Sequence, residues 1–168
     1  MAYIIDIDQT IGNSDHRKHL IERPHPDWNA FLHPDLVRID SVIEAAVPHV
    51  NRLWDRENCW FLTGRNEGLR DVTLDWIREH FDINVDHVHL IMRPIDNDMK
   101  PTEWKDHALE YYLGYEPTSR QRGVAFDDDL YMTATYAKYG FLHLHAPSCW
   151  DTLKTASSDL PPEGYWRK

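Results

Sequence analysis

The sequence predicts an α/β fold, a three-layer sandwich in which helices cover both faces of a central parallel sheet of about five strands, as in Rossmann-type domains. Short apolar runs rich in β-branched and aromatic residues alternate along the chain with longer stretches of helical periodicity. Most of these runs stop at a polar residue or a glycine. A repeated strand–helix order builds a parallel sheet, because each helix carries the chain back to the edge where the next strand begins.

The first half of the chain predicts two strands and two helices. Residues 2–5 form a short β-prone run that stops at a carboxylate, as a buried parallel strand does. Apolar residues at helical spacing predict a helix over residues 36–55, although Pro48 should distort it. A second strand is expected over residues 59–62 and a second helix over residues 69–81.

The second half continues the same alternation. Strands are expected over residues 88–92, 123–126 and 141–144, and helices from Pro101 to near Gly114 and over residues 130–139. Proline is favoured at the first position of a helix, and glycine is favoured just after the last. Five strands and the intervening helices therefore account for most of the chain.

Two segments depart from this alternation. Residues 13–34 contain three prolines and four histidines without a clear period, and they are long for a bare loop. We expect a flap or small cap at about residues 13–35, inserted after the first strand of a single domain that covers residues 1–150. The periodic signal fades past Ala146, which predicts a C-terminal tail over residues 151–168 that becomes loose from Leu160-Pro161-Pro162.

Composition excludes several classes of protein. With 18 Lys plus Arg against 28 Asp plus Glu, the formal charge of −10 provides no broad cationic surface, so extended binding to a nucleic-acid duplex is not expected. Seven Trp, eight Tyr and five Phe argue against a disordered chain. No apolar run is long enough to span a membrane, and no secretory signal opens the sequence. Two cysteines are too few for a disulfide framework, so we expect a cytoplasmic protein without membrane contact.

Polar side chains follow the ends of four predicted strands. In an open parallel sheet, ligands bind beyond the carboxyl ends of the strands, so these side chains should converge on one site. In chain order they are Asp6, Asp8 and Thr10; Thr63 and Arg65; Lys100 and Lys105; and Asp127 and Asp128.

The chemistry open to such a set is narrow. An anionic cavity is costly unless a cation fills it, and carboxylate oxygens suit a hard ion such as Mg²⁺ better than zinc. A hydroxyl and a lysine beside that ion can hold a phosphate, and aspartate is able to attack phosphorus. The residues therefore predict phosphoryl transfer.

The order of these motifs resembles the haloacid dehalogenase (HAD) superfamily. The resemblance is carried by Asp6-Ile7-Asp8-Gln9-Thr10, Leu62-Thr63-Gly64-Arg65, a following lysine and Phe126-Asp127-Asp128, within residues 3–145. Residues 63–76, together with Asp15-His16-Arg17, are similar to a bacteriophage group that includes the phosphatase domain of phage polynucleotide kinase. No kinase P-loop is present, so the resemblance is to the phosphatase half alone.

The resemblance implies a role for each matching residue. Asp6 would attack phosphorus and form an aspartyl-phosphate, and Asp8 would serve as general acid and then as base. The residues expected to hold phosphate are Thr63, Gly64 and Lys105, with Lys105 preferred to Lys100. Those expected to hold Mg²⁺ are Asp6, Asp8 through its backbone carbonyl, and Asp127 or Asp128. Further substrate contacts are expected from Thr10, Arg17, Arg65 and Arg70. Two positions depart from the family pattern, Gln9 where glycine is commoner and Asp129 where arginine is frequent.

These observations favour a Mg²⁺-dependent phosphomonoesterase acting on nucleotides or on the 3′-phosphate of nucleic-acid ends, in a host cytoplasm if the chain is viral. Three alternatives stay open. The first is a phosphatase for nucleoside monophosphates or sugar phosphates, and the second is a non-catalytic module that binds phosphate or a nucleotide. The third is a zinc hydrolase built on histidine pairs, namely His87 with His89, His143 with His145, or His16 with His19. In the flap, Trp28 and Phe31 could stack on a base or belong to the core.

Overall fold

A computed structural model describes residues 1–54, 58–86 and 89–155 of the chain, including side chains up to residue 153. The strands are β1 (Ala2–Ile5), β2 (Gly12–Asn13), β3 (Ser41–Val42), β4 (Cys59–Asn66), β5 (Leu90–Arg93), β6 (Gly123–Asp127) and β7 (Phe141–His145). The helices are α1 (Asp15–Lys18), α2 (Trp28–Phe31), α3 (Pro34–Arg38), α4 (Val47–Trp54), α5 (Arg70–His80), α6 (Pro101–Tyr111), α7 (Met132–Lys138) and α8 (Ser148–Thr155). A short 3₁₀ turn, Glu67–Leu69, leads into α5.

The predicted parallel sheet is confirmed. Five strands run in the order β5-β4-β1-β6-β7, and each neighbouring pair is parallel. β1 is the central strand: Ile5 lies opposite Phe61 of β4 on one side and opposite Phe126 of β6 on the other. The carboxyl ends of β1, β4 and β6 therefore meet at one edge of the sheet.

Helices cover both faces of the sheet, which confirms the three-layer architecture. Successive strand residues point to opposite faces, so Ile4 and Ile5 are both fully buried but belong to different clusters of the core. The Ile5 cluster contains residues of α4, α5 and α8, whereas the Ile4 cluster contains Trp104 of α6 and Tyr136 of α7. The first cluster is the larger of the two.

The helix predicted over residues 36–55 is wrong. The chain forms α3, then β3, then α4 across this region, because β3 pairs antiparallel with β2. This small two-stranded sheet places residues 41–42 beside the loop that follows β1. Pro48 is the second residue of α4, a position where the missing N–H is not needed, so it does not distort the helix.

The flap region and the end of the chain contain more regular structure than expected. Residues 13–35 include α1 and α2, and Phe31 of α2 is buried. At the other end, α8 extends to residue 155, and the fully buried Trp150 stacks on Phe126 at a ring distance of 4.6 Å. Residues 151–155, assigned to the C-terminal tail, therefore belong to α8, and residues 156–168, which include the predicted loose segment, lie outside the described part of the chain.

The third predicted strand is present with slightly different bounds, since β5 covers Leu90–Arg93. Residue 88, the first of the predicted strand, lies outside the described ranges, as does residue 87. None of the helices found in the described residues is long and apolar enough to cross a bilayer.

Candidate active site

Two buried carboxylates and one buried ammonium meet at the carboxyl edge of the sheet. Asp6 follows β1 directly, and its backbone N–H donates to Phe126 O at 2.9 Å, which holds it beside β6. Asp127 ends β6 and is fully buried. Lys105, in the second turn of α6, places Nζ 2.9 Å from Asp6 Oδ1 and 2.7 Å from Asp127 Oδ2. Three separate elements thus bring these three charges together.

Asp128 completes a group of carboxylates suited to a hard cation. One oxygen from each of Asp6, Asp127 and Asp128 lies within 4.8 Å of the others. Oxygen ligands at this spacing match the preference of Mg²⁺, and they make this edge a candidate metal site. The Asp8 side chain is not part of the group.

Burial and mutual repulsion set the charge state of this group. Burial raises the pKa of Asp6 well above its usual value, the Lys105 ammonium opposes this effect, and neighbouring carboxylates add to it. Burial and Asp127 likewise raise the pKa of Asp128 to about 6. Burial disfavours the Lys105 ammonium, but Asp127 and Asp6 outweigh it, so the pKa of Lys105 is raised. A bound divalent cation would relieve the same repulsion.

The turn that follows β1 supports Asp6. Thr10 is fully buried, and its hydroxyl donates to Asp6 Oδ2 at 3.3 Å. The Thr10 carbonyl in turn accepts a hydrogen bond from Trp150 Nε1 at 2.8 Å. Gln9 adopts a left-handed backbone conformation with φ of 61°, which glycine enters more easily, and its side-chain amide donates to Ser14 Oγ at 2.9 Å. Gln9 therefore adopts a backbone conformation that glycine favours, and its side chain adds a hydrogen-bond donor.

Two buried arginines hold Asp8. Arg65 donates through Nε to Asp8 Oδ2 and through Nη2 to Asp8 Oδ1, both at 2.9 Å. Arg17 donates through Nη2 to Asp8 Oδ1 at 2.6 Å. Burial alone would raise the pKa of Asp8, but the two guanidinium groups lower it to about 2. Asp8 is thus ionised in the free protein, and a quarter of its side chain remains exposed to solvent.

Thr63 and Gly64 lie near the carboxyl end of β4. Thr63 is fully buried, its hydroxyl accepts from Arg65 N at 3.2 Å, and its carbonyl accepts from Trp104 Nε1 at 3.0 Å. A β-carbon on Gly64 would lie 3.3 Å from Pro101 Cβ, closer than nearly all such contacts. Glycine here lets the start of α6 approach β4, and this approach positions Lys105.

Arg70 and Lys100, two of the residues considered for the site, have their described contacts elsewhere. Arg70 opens α5 and forms a two-pronged ion pair with Glu67, with both hydrogen bonds at 2.6 Å. Lys100 precedes α6, is exposed, and donates its backbone N–H to Glu103 at 3.3 Å. Of the two competing lysines, Lys105 is the one that contacts Asp6.

Sequence reasoning missed Asp40 and Tyr136. The Asp40 carboxylate is fully buried and forms ion pairs with both Arg17 and Arg65. Tyr136 of α7 donates its hydroxyl to Asp127 Oδ2 at 2.6 Å. One sequence feature pointed to Asp40: it is a charged residue between Ile39 and the segment Ser41-Val42-Ile43, in a region assigned to a helix. No sequence feature pointed to Tyr136, because a tyrosine at helical spacing is ordinarily a core residue.

The arrangement of histidines and cysteines does not favour the zinc alternative or a thiol nucleophile. His143 lies between Thr133 Oγ1 and the Asp127 carbonyl, while His89 contacts Asp86; His87 lies outside the described residues. Within the described ranges, the group able to hold a metal is made of carboxylates. Burial raises the pKa of the Cys59 thiol to about 12 and that of Cys149 to about 11, so neither thiol ionises near neutral pH.

The two flap aromatics have different environments. Phe31 is buried and lies 4.2 Å beneath the Arg17 guanidinium, so it belongs to the core of the flap. Trp28 is half exposed and contacts the edge of Phe31 at a ring distance of 5.8 Å.

Comparison with known proteins supports the fold. No protein-family model matches the chain, and no curated protein sequence matches it. A chain in a solved structure of a Pnkp1/Rnl/Hen1 complex is similar, with a TM-score of 0.58 and 16% sequence identity over 86% of this chain. The match covers 45% of that chain, so the present sequence corresponds to less than half of its neighbour.

Proposed function

We propose that this chain is a Mg²⁺-dependent phosphomonoester hydrolase that acts through a covalent phosphate on Asp6. The observation that carries the proposal is the Asp6 carboxylate, which lies 2.9 Å from Lys105 Nζ and within 4.8 Å of Asp127 and Asp128. A nucleophile beside an ammonium and a potential cation site can approach a phosphate, because both positive charges offset the repulsion between two anions.

The reaction would proceed in two halves. In the first, an oxygen of Asp6 bonds to phosphorus while the ester P–O bond breaks, and the leaving oxygen takes a proton from Asp8. In the second, water attacks the phosphorus of the aspartyl-phosphate, Asp8 takes a proton from that water, and the Asp6 carboxylate is released. Lys105 and Thr63 would hold the phosphate oxygens during both halves.

The ion pairs of Asp8 indicate how it would enter the cycle. Arg17 and Arg65 keep its pKa at about 2, so the free protein holds Asp8 as a carboxylate. It is therefore ready to act as the base of the second half. The proton of the first half would come from the monoanionic form of the phosphate ester and would pass through Asp8 to the leaving oxygen as the P–O bond breaks, so Asp8 need not be protonated beforehand.

The carboxylates fit a magnesium ion. Asp6, the backbone carbonyl of Asp8, and Asp127 or Asp128 would hold it, since oxygen ligands at this spacing suit a hard divalent cation. When bound, Mg²⁺ would polarise a phosphoryl oxygen and offset the charge that develops during transfer.

The proposed substrates are nucleotides or the 3′-phosphate of a nucleic-acid end. This choice rests on the resemblance of residues 63–76 to the phage group, and membership of the fold neighbour in a Pnkp1/Rnl/Hen1 complex is in keeping with a role at nucleic-acid ends. The charge of −10 favours a short end over a long duplex. Nucleoside monophosphates and sugar phosphates are the alternative substrates.

The first test compares wild type with Asp6→Asn. Phosphate release would be measured with Mg²⁺ from an aryl phosphate, a 3′-phosphorylated oligonucleotide and a panel of mononucleotides. Because Asn cannot carry the phosphate, we expect Asp6→Asn to lose at least about 10³-fold in kcat, and EDTA to silence the wild type.

Asp106→Asn is the control, since Asp106 is partly exposed and pairs with Lys138 away from the site. Turnover by folded Asp6→Asn at the wild-type rate would overturn the mechanism. Binding of Mg²⁺ and nucleotide without release of phosphate by wild type would favour the non-catalytic binding module instead.

A further inference from the structure

The Asp40 carboxylate joins the flap to the edge of the sheet. We infer that Asp40 is a positioning residue, which fixes the two arginines that in turn hold Asp8 in place. This inference rests on the proposed function, because it concerns the orientation of the proposed acid and base. Asp40 does not have to touch substrate for this role.

The contacts of Asp40 occupy both of its carboxylate oxygens. Arg17 donates through Nε to Oδ1 at 2.8 Å and through Nη2 to Oδ2 at 2.7 Å. Arg65 donates through Nη2 to Oδ2 at 2.8 Å, and His16 Nε2 lies 2.9 Å from Oδ1. The same Nη2 atoms of Arg17 and Arg65 also contact Asp8 Oδ1, at 2.6 and 2.9 Å. Each arginine therefore bridges Asp40 and Asp8 through a single nitrogen.

Charge explains why the bridge needs Asp40. The side chains of Arg17 and Arg65 are fully buried, and two buried cations against one carboxylate would leave one positive charge uncompensated. Asp40 restores the balance of two guanidinium groups and two carboxylates. Without it, the arginines would separate, and Asp8, which is held by them, would move as well.

The backbone of Asp40 is also anchored. Its carbonyl accepts from Trp76 Nε1 at 2.7 Å, which ties this position to α5. Arg65 Nη1 reaches Thr73 on the same helix at 3.3 Å. Arg17 comes from α1 in the flap, Arg65 from β4 and Asp8 from the loop after β1. Through the two arginines, the Asp40 carboxylate is therefore connected to all three of these parts of the fold.

The test is a double-mutant cycle with Asp40→Asn and Asp8→Ala, assayed on an aryl phosphate whose good leaving group keeps residual activity measurable. Misplacing a catalytic group by about 1 Å can cost about 100-fold, so Asp40→Asn should lower kcat by about 10- to 100-fold with little change in KM. In the Asp8→Ala background the same substitution should leave kcat of the folded fraction unchanged, because the group it positions is gone.

Val50→Ala is the matched control for lost stability, since Val50 is fully buried in α4 and belongs to the core cluster opposite α6 and α7. It should lower the urea midpoint without changing kcat of the folded fraction. If Asp40→Asn does not fold, alone or combined with Asp8→Ala, Asp40→Glu takes its place. This substitution keeps one carboxylate for the two arginines but lengthens the side chain, and the same dependence on Asp8 is expected.

An equal fall in kcat in both backgrounds would show a purely structural role and overturn the inference, as would a wild-type kcat in Asp40→Asn. These outcomes differ from failure of the proposed function, which is an Asp6→Asn protein that still turns over.

Discussion

At the scale of single residues, Lys105 sets the charge balance of the site. Burying an ammonium is costly, and here the cost is offset by ion pairs with Asp6 and Asp127 at 2.9 and 2.7 Å. The same group keeps two buried carboxylates together. Lys105 therefore supports the fold of the site and would also help to bind the substrate phosphate. One substitution should affect the two roles in different ways.

We expect Lys105→Met to lower phosphatase activity by about 10²- to 10³-fold, the range found when one donor to a developing anion is removed. The variant should also be stabilised by Mg²⁺ more than wild type, because the cation replaces a charge that the carboxylates have lost. Activity assays and thermal melts with and without Mg²⁺ measure both effects.

Lys100→Met is the matched control, because Lys100 is exposed at the start of the same helix. It should keep activity near wild type and show the wild-type response to Mg²⁺. A larger loss of activity in Lys100→Met than in Lys105→Met would assign the phosphate-binding lysine to the other position.

At the scale of secondary-structure elements, α8 is part of the core and supports the site from behind. Trp150 is fully buried, stacks on Phe126 of β6, and donates to the Thr10 carbonyl at 2.8 Å. Thr10 in turn donates to Asp6. The helix thus contacts both the strand that carries Asp127 and the turn that supports Asp6.

Trp150→Ala should reduce the free energy of unfolding by about 3–5 kcal/mol, the usual cost of emptying a buried aromatic site. Trp28→Ala makes the same chemical change at a half-exposed position and should cost less than about 1 kcal/mol. Urea unfolding of the two variants measures the difference. Equal losses would mean that α8 does not form part of the cooperative core.

The elements that sequence could predict are those defined by local patterns. β1 and β4 begin where their apolar runs begin, and parallel topology then brings Asp6, Lys105 and Asp127 to one edge. The region of residues 36–55 failed because its apolar residues serve two short helices and a strand, and the partner of that strand lies near residue 12. Pairing between distant segments leaves no local period.

Asp40 could not be predicted for the same reason. Its ion-pair partners lie 23 and 25 positions away along the chain, and both arginines were candidates for substrate contact on their own. A buried arginine requires a carboxylate, but sequence does not say which of the 28 acidic residues supplies it.

At the scale of the whole molecule, charge constrains the substrate. A formal charge of −10 repels a polyanion, whereas at the site a bound Mg²⁺, together with Lys105, Arg17 and Arg65, would offset the carboxylates at one edge of the sheet. Attraction is therefore confined to the terminal phosphate and its immediate neighbours. Binding of a nucleic-acid end should depend on the end and little on the length behind it.

This expectation can be measured with Asp6→Asn, which should bind substrate without turning it over. The dissociation constant of 3′-phosphorylated oligonucleotides would be measured by fluorescence anisotropy with Mg²⁺ over a range of salt concentrations. Its salt dependence reports how many backbone phosphates the protein contacts, since each contact contributes a slope of about −0.7 to the plot of log K against log salt. We expect a slope no steeper than about −1.5, the same for about 4 and about 16 nucleotides, because the acidic surface adds no contacts beyond the end. An unphosphorylated oligonucleotide controls for binding that ignores the terminal phosphate. A salt-dependence slope that becomes steeper as the oligonucleotide lengthens would contradict this expectation. It would require a positively charged groove along the surface, and the substrate would then be a longer strand.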